Sequence, residues 1–153
     1  MGLIRAEIEL INSDDIAYAK KGYIKEDNIR RTTTSMLVDS GAYMLCINEV
    51  LKEQLGLDTL EEDVATLADG SRKIYEIVGP VTVKFKNRTT ICRALVLPTD
   101  SEPLLGAIPM EDLDVIINPT TQTFDINPAH PYVAGTILKG IRKGVTFEAK
   151  VIS

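Results

Sequence analysis

The sequence predicts an all-β domain, a closed or partly closed barrel with one or two short helices. Three observations point there. About ten short apolar runs, several alternating with period two, are separated by turn-forming residues at close spacing. Helical patterning is confined to two brief stretches, residues 49–55 and 108–112. The 153 residues carry no repeat and no low-complexity linker, a length that suits one domain with a real core.

Residues 2–12 alternate imperfectly around Leu3, Ile4, Ile8, Leu10 and Ile11 and fit a strand. Asn12-Ser13-Asp14-Asp15 is a turn cluster. Residues 16–24 are expected to return as a second strand, with Lys20-Lys21-Gly22 as an irregular middle. The charged residues 25–31 read as an exposed loop or edge. Residues 32–38 then enter the core. After them, residues 43–47 form a compact apolar strand. Asn48 is placed to cap a short helix with Val50, Leu51 and Leu55 on one face, closed by Gly56. Thr59-x-x-Glu62 matches a capping box, but the residues that follow read as strand.

The run 64–67 meets Ala68-Asp69-Gly70-Ser71 and then strand-like residues 73–76, a hairpin signal. Val81, Val83 and Phe85 alternate toward one face. Lys86-Asn87-Arg88 turns the chain, so the sequon at Asn87 reads as a turn. Residues 89–97 form a further strand stopped by Pro98. Leu104-Leu105-Gly106-Ala107 precedes the second helical stretch. Residues 113–117 and 121–126 read as strands, and 137–138 and 145–147 as short strands of a less legible tail.

Composition narrows the function. Seventeen basic against 22 acidic residues give a net charge of −5, which disfavours nucleic acid or an anionic membrane as the main partner. Trp is absent and aromatics are only 5%, so base-stacking platforms are not expected. No apolar run approaches spanning length and no secretory signal opens the chain, so a cytoplasmic, membrane-free protein is expected. Met1-Gly2 begins like a myristoylation signal, but Ala6 stands where Ser or Thr is wanted. Cys46 and Cys92 lie in apolar runs and read as free thiols. Two Cys and one His are too few for a zinc site, and no metal or other cofactor is expected. Glu111, Asp112 and Asp114 read as a solvated helix end, and His130, between Pro128 and Pro131, as a loop residue.

The chemistry concentrates at Leu37-Val38-Asp39-Ser40-Gly41-Ala42. An apolar strand breaks there into three turn residues, which leaves a carboxylate at the edge of the core. A charge so placed needs donors, and Gly41 permits the tight geometry that aims backbone N–H groups at it. Asp-Ser-Gly is common and by itself reads as a loop cap. It is followed in order by Leu67-Ala68-Asp69-Gly70-Ser71 in a hairpin and by Leu104-Leu105-Gly106 before a helix.

The three segments together resemble the retropepsin-like (clan AA) aspartic proteases, most closely the bacterial single-domain type. The resemblance covers roughly residues 3–127, a core within a single domain of residues 1–153, with 128–153 as a C-terminal extension. It implies a retropepsin-like closed β-barrel. Asp39 would be catalytic, with Ser40, Gly41 and Ala42 in the active-site loop. Leu67, Ala68, Asp69, Gly70 and Ser71 would form a flap, and Leu104, Leu105 and Gly106 the loop opposite the active site. Leu67, Ala68 and Ile108 are candidate subsite walls that also fit as core. Ser40 replaces the family's commoner Thr and keeps the hydroxyl. The charged insert 12–31 and the tail after residue 127 exceed the family's minimal core.

Asp-Ser-Gly occurs once, so one chain holds half of a carboxylate pair. The implied enzyme is an aspartic endopeptidase active as a homodimer on a peptide or protein substrate. The alternative is a non-catalytic retropepsin-fold module for dimerisation or peptide binding.

Overall fold

A computed structural model of the chain describes residues 3–66 and 69–135. Its architecture is mostly β, with nine strands among the described residues. Strand β1 (Arg5–Asn12) leads to helix α1 (Ser13–Lys20), a 3-10 turn (Glu26–Asn28) and strand β2 (Arg31–Val38). Strand β3 (Leu45–Asn48) runs straight into helix α2 (Glu49–Leu55). Strands β4 (Asp58–Thr66), β5 (Arg72–Phe85) and β6 (Arg88–Leu97) follow as a meander. The two-residue strand β7 (Leu104–Leu105) precedes helix α3 (Ala107–Leu113) and the hairpin β8 (Val115–Asn118) and β9 (Thr123–Ile126).

Seven strands form one sheet in the order β1-β2-β7-β3-β6-β5-β4, and an added β1–β5 pairing closes six of them into a ring. Alternation fills the ring. In β1, Ala6, Ile8 and Leu10 point inward, while Arg5 and Glu7 face water. Met36, Leu45, Ile47, Val81, Val83 and Leu105 meet them in one core cluster. Hairpin β8–β9 is a separate two-stranded sheet that lays Ile117, Phe124 and Ile126 against that core. Phe124 packs on Phe85 with ring centroids 4.8 Å apart.

Where the sequence suggested a strand over residues 16–24, the chain forms α1 and a turn. Among the described residues the expected one or two helices are therefore three. Asn12 is the cause. Its side-chain oxygen accepts the Asp15 N–H at 3.1 Å, and Asp14 and Asp15 place negative charge in the first turn. Its amide nitrogen meanwhile donates to Leu55 O at 2.8 Å. Asp15 is buried and takes Arg30 by two guanidinium bonds, at 2.8 and 3.0 Å, and the Arg30 N–H at 3.0 Å. Those bonds with Arg30 hold its carboxyl below the usual range against the opposing effect of burial. The insert is thus fastened to the ring rather than looped out from it.

Helix α2 follows the sequence closely. The Asn48 side chain accepts from Leu51 N at 2.9 Å, and Gly56 closes the helix at φ +59. Residues 59–62 lie in β4, as the strand reading required. Lys86 and Asn87 form the β5–β6 turn. The expected tail strands at 137–138 and 145–147 lie outside the described residues.

Asp114 is not the solvated helix end that the sequence suggested. It ends α3 at φ +55, and its carboxylate accepts from Asn127 Nδ2 (3.1 Å), His130 Nδ1 (2.6 Å) and Gly135 N (2.7 Å). Burial alone would raise its pKa, but donors from Gly135, Asn127 and His130 outweigh burial and lower it. Among the described residues no helix is long and apolar enough to cross a membrane.

Candidate active site

The loop carrying Asp39 is held by backbone from three directions. Strand β2 ends beside β7 in parallel register, Leu37 opposite Leu104 and Val38 opposite Leu105. Leu37 N donates to Pro103 O (3.0 Å), Val38 N to Ile4 O (2.8 Å) and Asp39 N to Leu105 O (3.0 Å). The chain then turns, with Ala42 N donating to Asp39 O at 3.1 Å. Beyond the turn, the first N–H groups of α3 take the loop's carbonyls. Ala107 N reaches Ala42 O at 2.7 Å and Ile108 N reaches Tyr43 O at 2.9 Å.

The side chain of Asp39 is partly buried, and its Oδ1 accepts the Gly41 N–H at 2.9 Å. This is the donor expected of Gly41. A Cβ on Gly41 would lie 3.1 Å from the same oxygen. Ser40 is exposed at the tip of the turn. The thiol of Cys46 is pushed up to about 11, first by its own burial and then by the charge of Asp39. Cys92 is raised to about 12, by burial and then by Asp112. Both cysteines are free.

Gly106 explains why a glycine must follow Leu104-Leu105. Its φ of −88 is open to any residue, so backbone freedom is not the reason. A Cβ there would stand 2.2 Å from Met44 O and 2.8 Å from Ala42 O. The two loops approach so closely that only hydrogen fits between them.

A cavity of about 370 Å³ opens beside the carboxylate. It is lined by Leu37, Val38, Asp39 and Ser40, by Leu3 and Ile4 of the N-terminal stretch, and by Ile117, Pro119 and Gln122 around the β8–β9 turn. The last five were not singled out by sequence reasoning. Nothing local marks them, because strand order alone brings them to Asp39.

The segment expected to form a flap is a hairpin, and among the described residues β4 pairs with β5 up to Thr66 opposite Arg72. Asp69 organises its tip, with Oδ1 accepting Ser71 N at 2.8 Å and Ser71 Oγ at 2.5 Å. The serine's hydroxyl and then its N–H lower the Asp69 pKa. Gly70 sits at φ +85, where side chains are disfavoured. Leu67 and Ala68 lie outside the described residues. Asp69, Gly70 and Ser71 do not line the Asp39 cavity. Nor does Ile108, one of the candidate subsite walls, which borders cavities beside β6 instead.

The structure therefore joins two of the three sequence segments, the Asp39 loop and Leu104-Leu105-Gly106, through direct backbone bonds. A buried-edge carboxylate with one backbone donor and an open cavity beside it can accept a proton from water or donate one to a leaving group. No curated protein matches the chain. A family model does, described as gag-polyprotein putative aspartyl protease, over residues 27–112. That stretch holds the Asp39 loop, the hairpin and Leu104-Leu105-Gly106, and it is more than half of the sequence, so the chain belongs to this aspartyl protease family.

Proposed function

We propose that the protein is an aspartic endopeptidase that works as a homodimer, each chain contributing Asp39. The single observation that carries this reading is Asp39 itself. It stands at a strand end, fixed by Gly41 N–H and braced by β7 and α3, with a cavity at its side. In this reading the ring of six strands is a retropepsin-like closed barrel. The domain spans residues 1–153, with its core at about 3–127 and an extension over 128–153. A cytoplasmic setting belongs to this reading.

Two Asp39 carboxyls brought together across a two-fold share one proton, because like charges at about 3 Å cannot both ionise easily. The ionised one takes a proton from water as the oxygen attacks the peptide carbonyl carbon. The protonated one hydrogen-bonds the carbonyl oxygen as charge builds there. Collapse of the tetrahedral species breaks the C–N bond, and a carboxyl proton passes to the leaving nitrogen. The roles belong to the pair, not to either copy. Ser40, exposed beside Asp39, bridges the loops of the two chains. Gly41 and Ala42 hold the turn, and Leu104, Leu105 and Gly106 back it. The loop 67–71, with Leu67, Ala68, Asp69, Gly70 and Ser71, closes over an extended substrate and excludes water.

The test is cleavage of a diverse peptide library from about pH 3 to 8, spanning the unperturbed Asp value. Wild type and Asp39→Asn are compared at several protein concentrations. The expected result is a bell-shaped pH profile, specific activity that falls on dilution, and no cleavage by the variant. Two equally stable dimers that cleave nothing would overturn the catalytic reading and leave a peptide-binding module.

A further inference from the structure

Strand β4 stands outside the ring of six strands. It ends the sheet order β1-β2-β7-β3-β6-β5-β4, and among the described residues its only ladder partner is β5. A strand packed on a core hides one face, yet every residue of β4 is exposed except Ala65, which is half-buried. The result is an edge about 30 Å long, open to water on both faces and, among the described residues, along one side. Such an edge is a template for another strand.

Backbone and side chains narrow what fits there. The Val64 N–H is taken by the carboxylate next to it, Asp63 Oδ1 at 2.8 Å, so it points away from β5. Alternation then turns the backbone N–H and C=O groups of Glu62 and Thr66 outward as well, and leaves those of Asp63 and Ala65 to β5. Val64 lies opposite Ile74 in register, and the two form an exposed apolar pair, at 49% and 63% exposure. Glu61 and Asp63 lie on the other face. The strand carries four carboxylates, Asp58, Glu61, Glu62 and Asp63, and no basic residue. Glu61 is paired with Arg93, whereas Glu62 and Asp63 have no ion pair among the described residues. This charge excludes a second copy. Antiparallel pairing of β4 with itself sets carboxylates against carboxylates, on a chain whose net charge is already −5.

We propose that the outer edge of β4 takes an extended segment of a basic partner protein as an added strand. The segment's backbone bonds Glu62, Val64 and Thr66. Its apolar residues lie on Val64 and Ile74, and its alternating Lys or Arg residues face Asp63. The Val64 N–H exchanges the Asp63 carboxylate for a carbonyl of the partner, which frees that carboxylate for a cation. The inference does not depend on the protease reading.

The test is amide hydrogen exchange on the full chain, with a short end-blocked peptide of alternating lysine and valine as the probe. Saturating peptide is expected to slow exchange of the Glu62, Val64 and Thr66 amides at least about tenfold. Asp63→Lys should weaken binding at least about tenfold. Val64→Pro, which removes an outward N–H and spares the ladder with β5, should do the same. The Ala65 amide, turned toward β5, and the Val83 amide, in the core, are the controls that each variant keeps the hairpin and the fold. A glutamate–valine peptide should not bind. Unchanged exchange with the lysine–valine peptide would overturn the proposal. Equal binding by the same peptide N-methylated at every residue would also overturn it, since attraction of charge would then act without strand pairing. Slow exchange of the Val64 amide in dilute protein alone would mean that the chain covers this edge itself. Protection that grows with protein concentration would assign the edge to a second copy, and either result refutes a basic partner.

Discussion

Gly106→Ala tests the geometry that braces the candidate active site. The new Cβ would fall 2.2 Å from Met44 O, 2.8 Å from Ala42 O and 2.8 Å from Tyr43 C. All three are backbone atoms, so no side chain can swing aside. The active-site loop must move away from α3, and the bonds from Ala107 N to Ala42 O and from Ile108 N to Tyr43 O stretch or break. Overpacking of this kind costs about 1–3 kcal/mol, and each weakened bond about 1 kcal/mol. A loss of about 3–5 kcal/mol is expected, a large part of the stability of an ordinary domain. With a urea slope of about 2 kcal/mol/M, the unfolding midpoint should fall by about 1.5–2.5 M. Gly22→Ala is the control. Gly22 has φ +80 but nothing within 4 Å of a Cβ, so it should lose only about 1–2 kcal/mol from backbone strain. On the proposed function, peptide cleavage assayed in buffer where Gly106→Ala is still folded should fall with the displaced loop. If Gly106→Ala and Gly22→Ala proved equally mild and activity were kept, close approach would not be what demands this glycine.

Asp15→Asn leaves Arg30 without its carboxylate and should cost about 1–3 kcal/mol, the lower part of the range reflecting an Arg30 side chain half exposed to water. Because the folded pKa of Asp15 is lowered, its contribution is present above the unfolded value near ~3.9 and is lost as pH falls through the depressed folded value. Urea midpoints of wild type and variant should therefore converge in acid, and a constant gap would refute the pairing. Asn48→Ala removes the acceptor for Leu51 N and should cost about 1 kcal/mol in the same assay. A neutral result would mean that water caps α2 equally well. Cys46 and Cys92, raised to about 11 and about 12, should react with a thiol reagent at pH 8 far more slowly than a free thiol and gain full reactivity on unfolding. Fast labelling of the folded chain would contradict their burial.

Most of the fold was legible where the physics is local. Asn48 and Gly56 bracket α2 because a cap acts within one turn. The alternation of Val81, Val83 and Phe85 set the inner face of β5, and Asp-Gly marked the hairpin tip. The turn at Asp39 followed from Asp-Ser-Gly at the end of an apolar run. Residues 16–24 read as a strand although the Asn12 cap of α1 is local, because the bonds that fix the helix in place reach distant partners. Asn12 bonds Leu55, Asp15 is paired with Arg30, and Ser13 meets Thr82 at 2.7 Å.

The sequence by itself determined a mostly β domain, the position of its one Asp-Ser-Gly turn and the hairpin that follows, since period-two burial and turn chemistry are carried by neighbouring residues. Tertiary structure alone decided that Leu3, Ile117, Pro119 and Gln122 stand beside Asp39. It also decided that Gly106 is a steric necessity and that Asp114 gathers Asn127, His130 and Gly135. Those relations arise from how strands are ordered around the ring. Strand order is set by the summed burial of the whole core, and no short stretch of sequence encodes it.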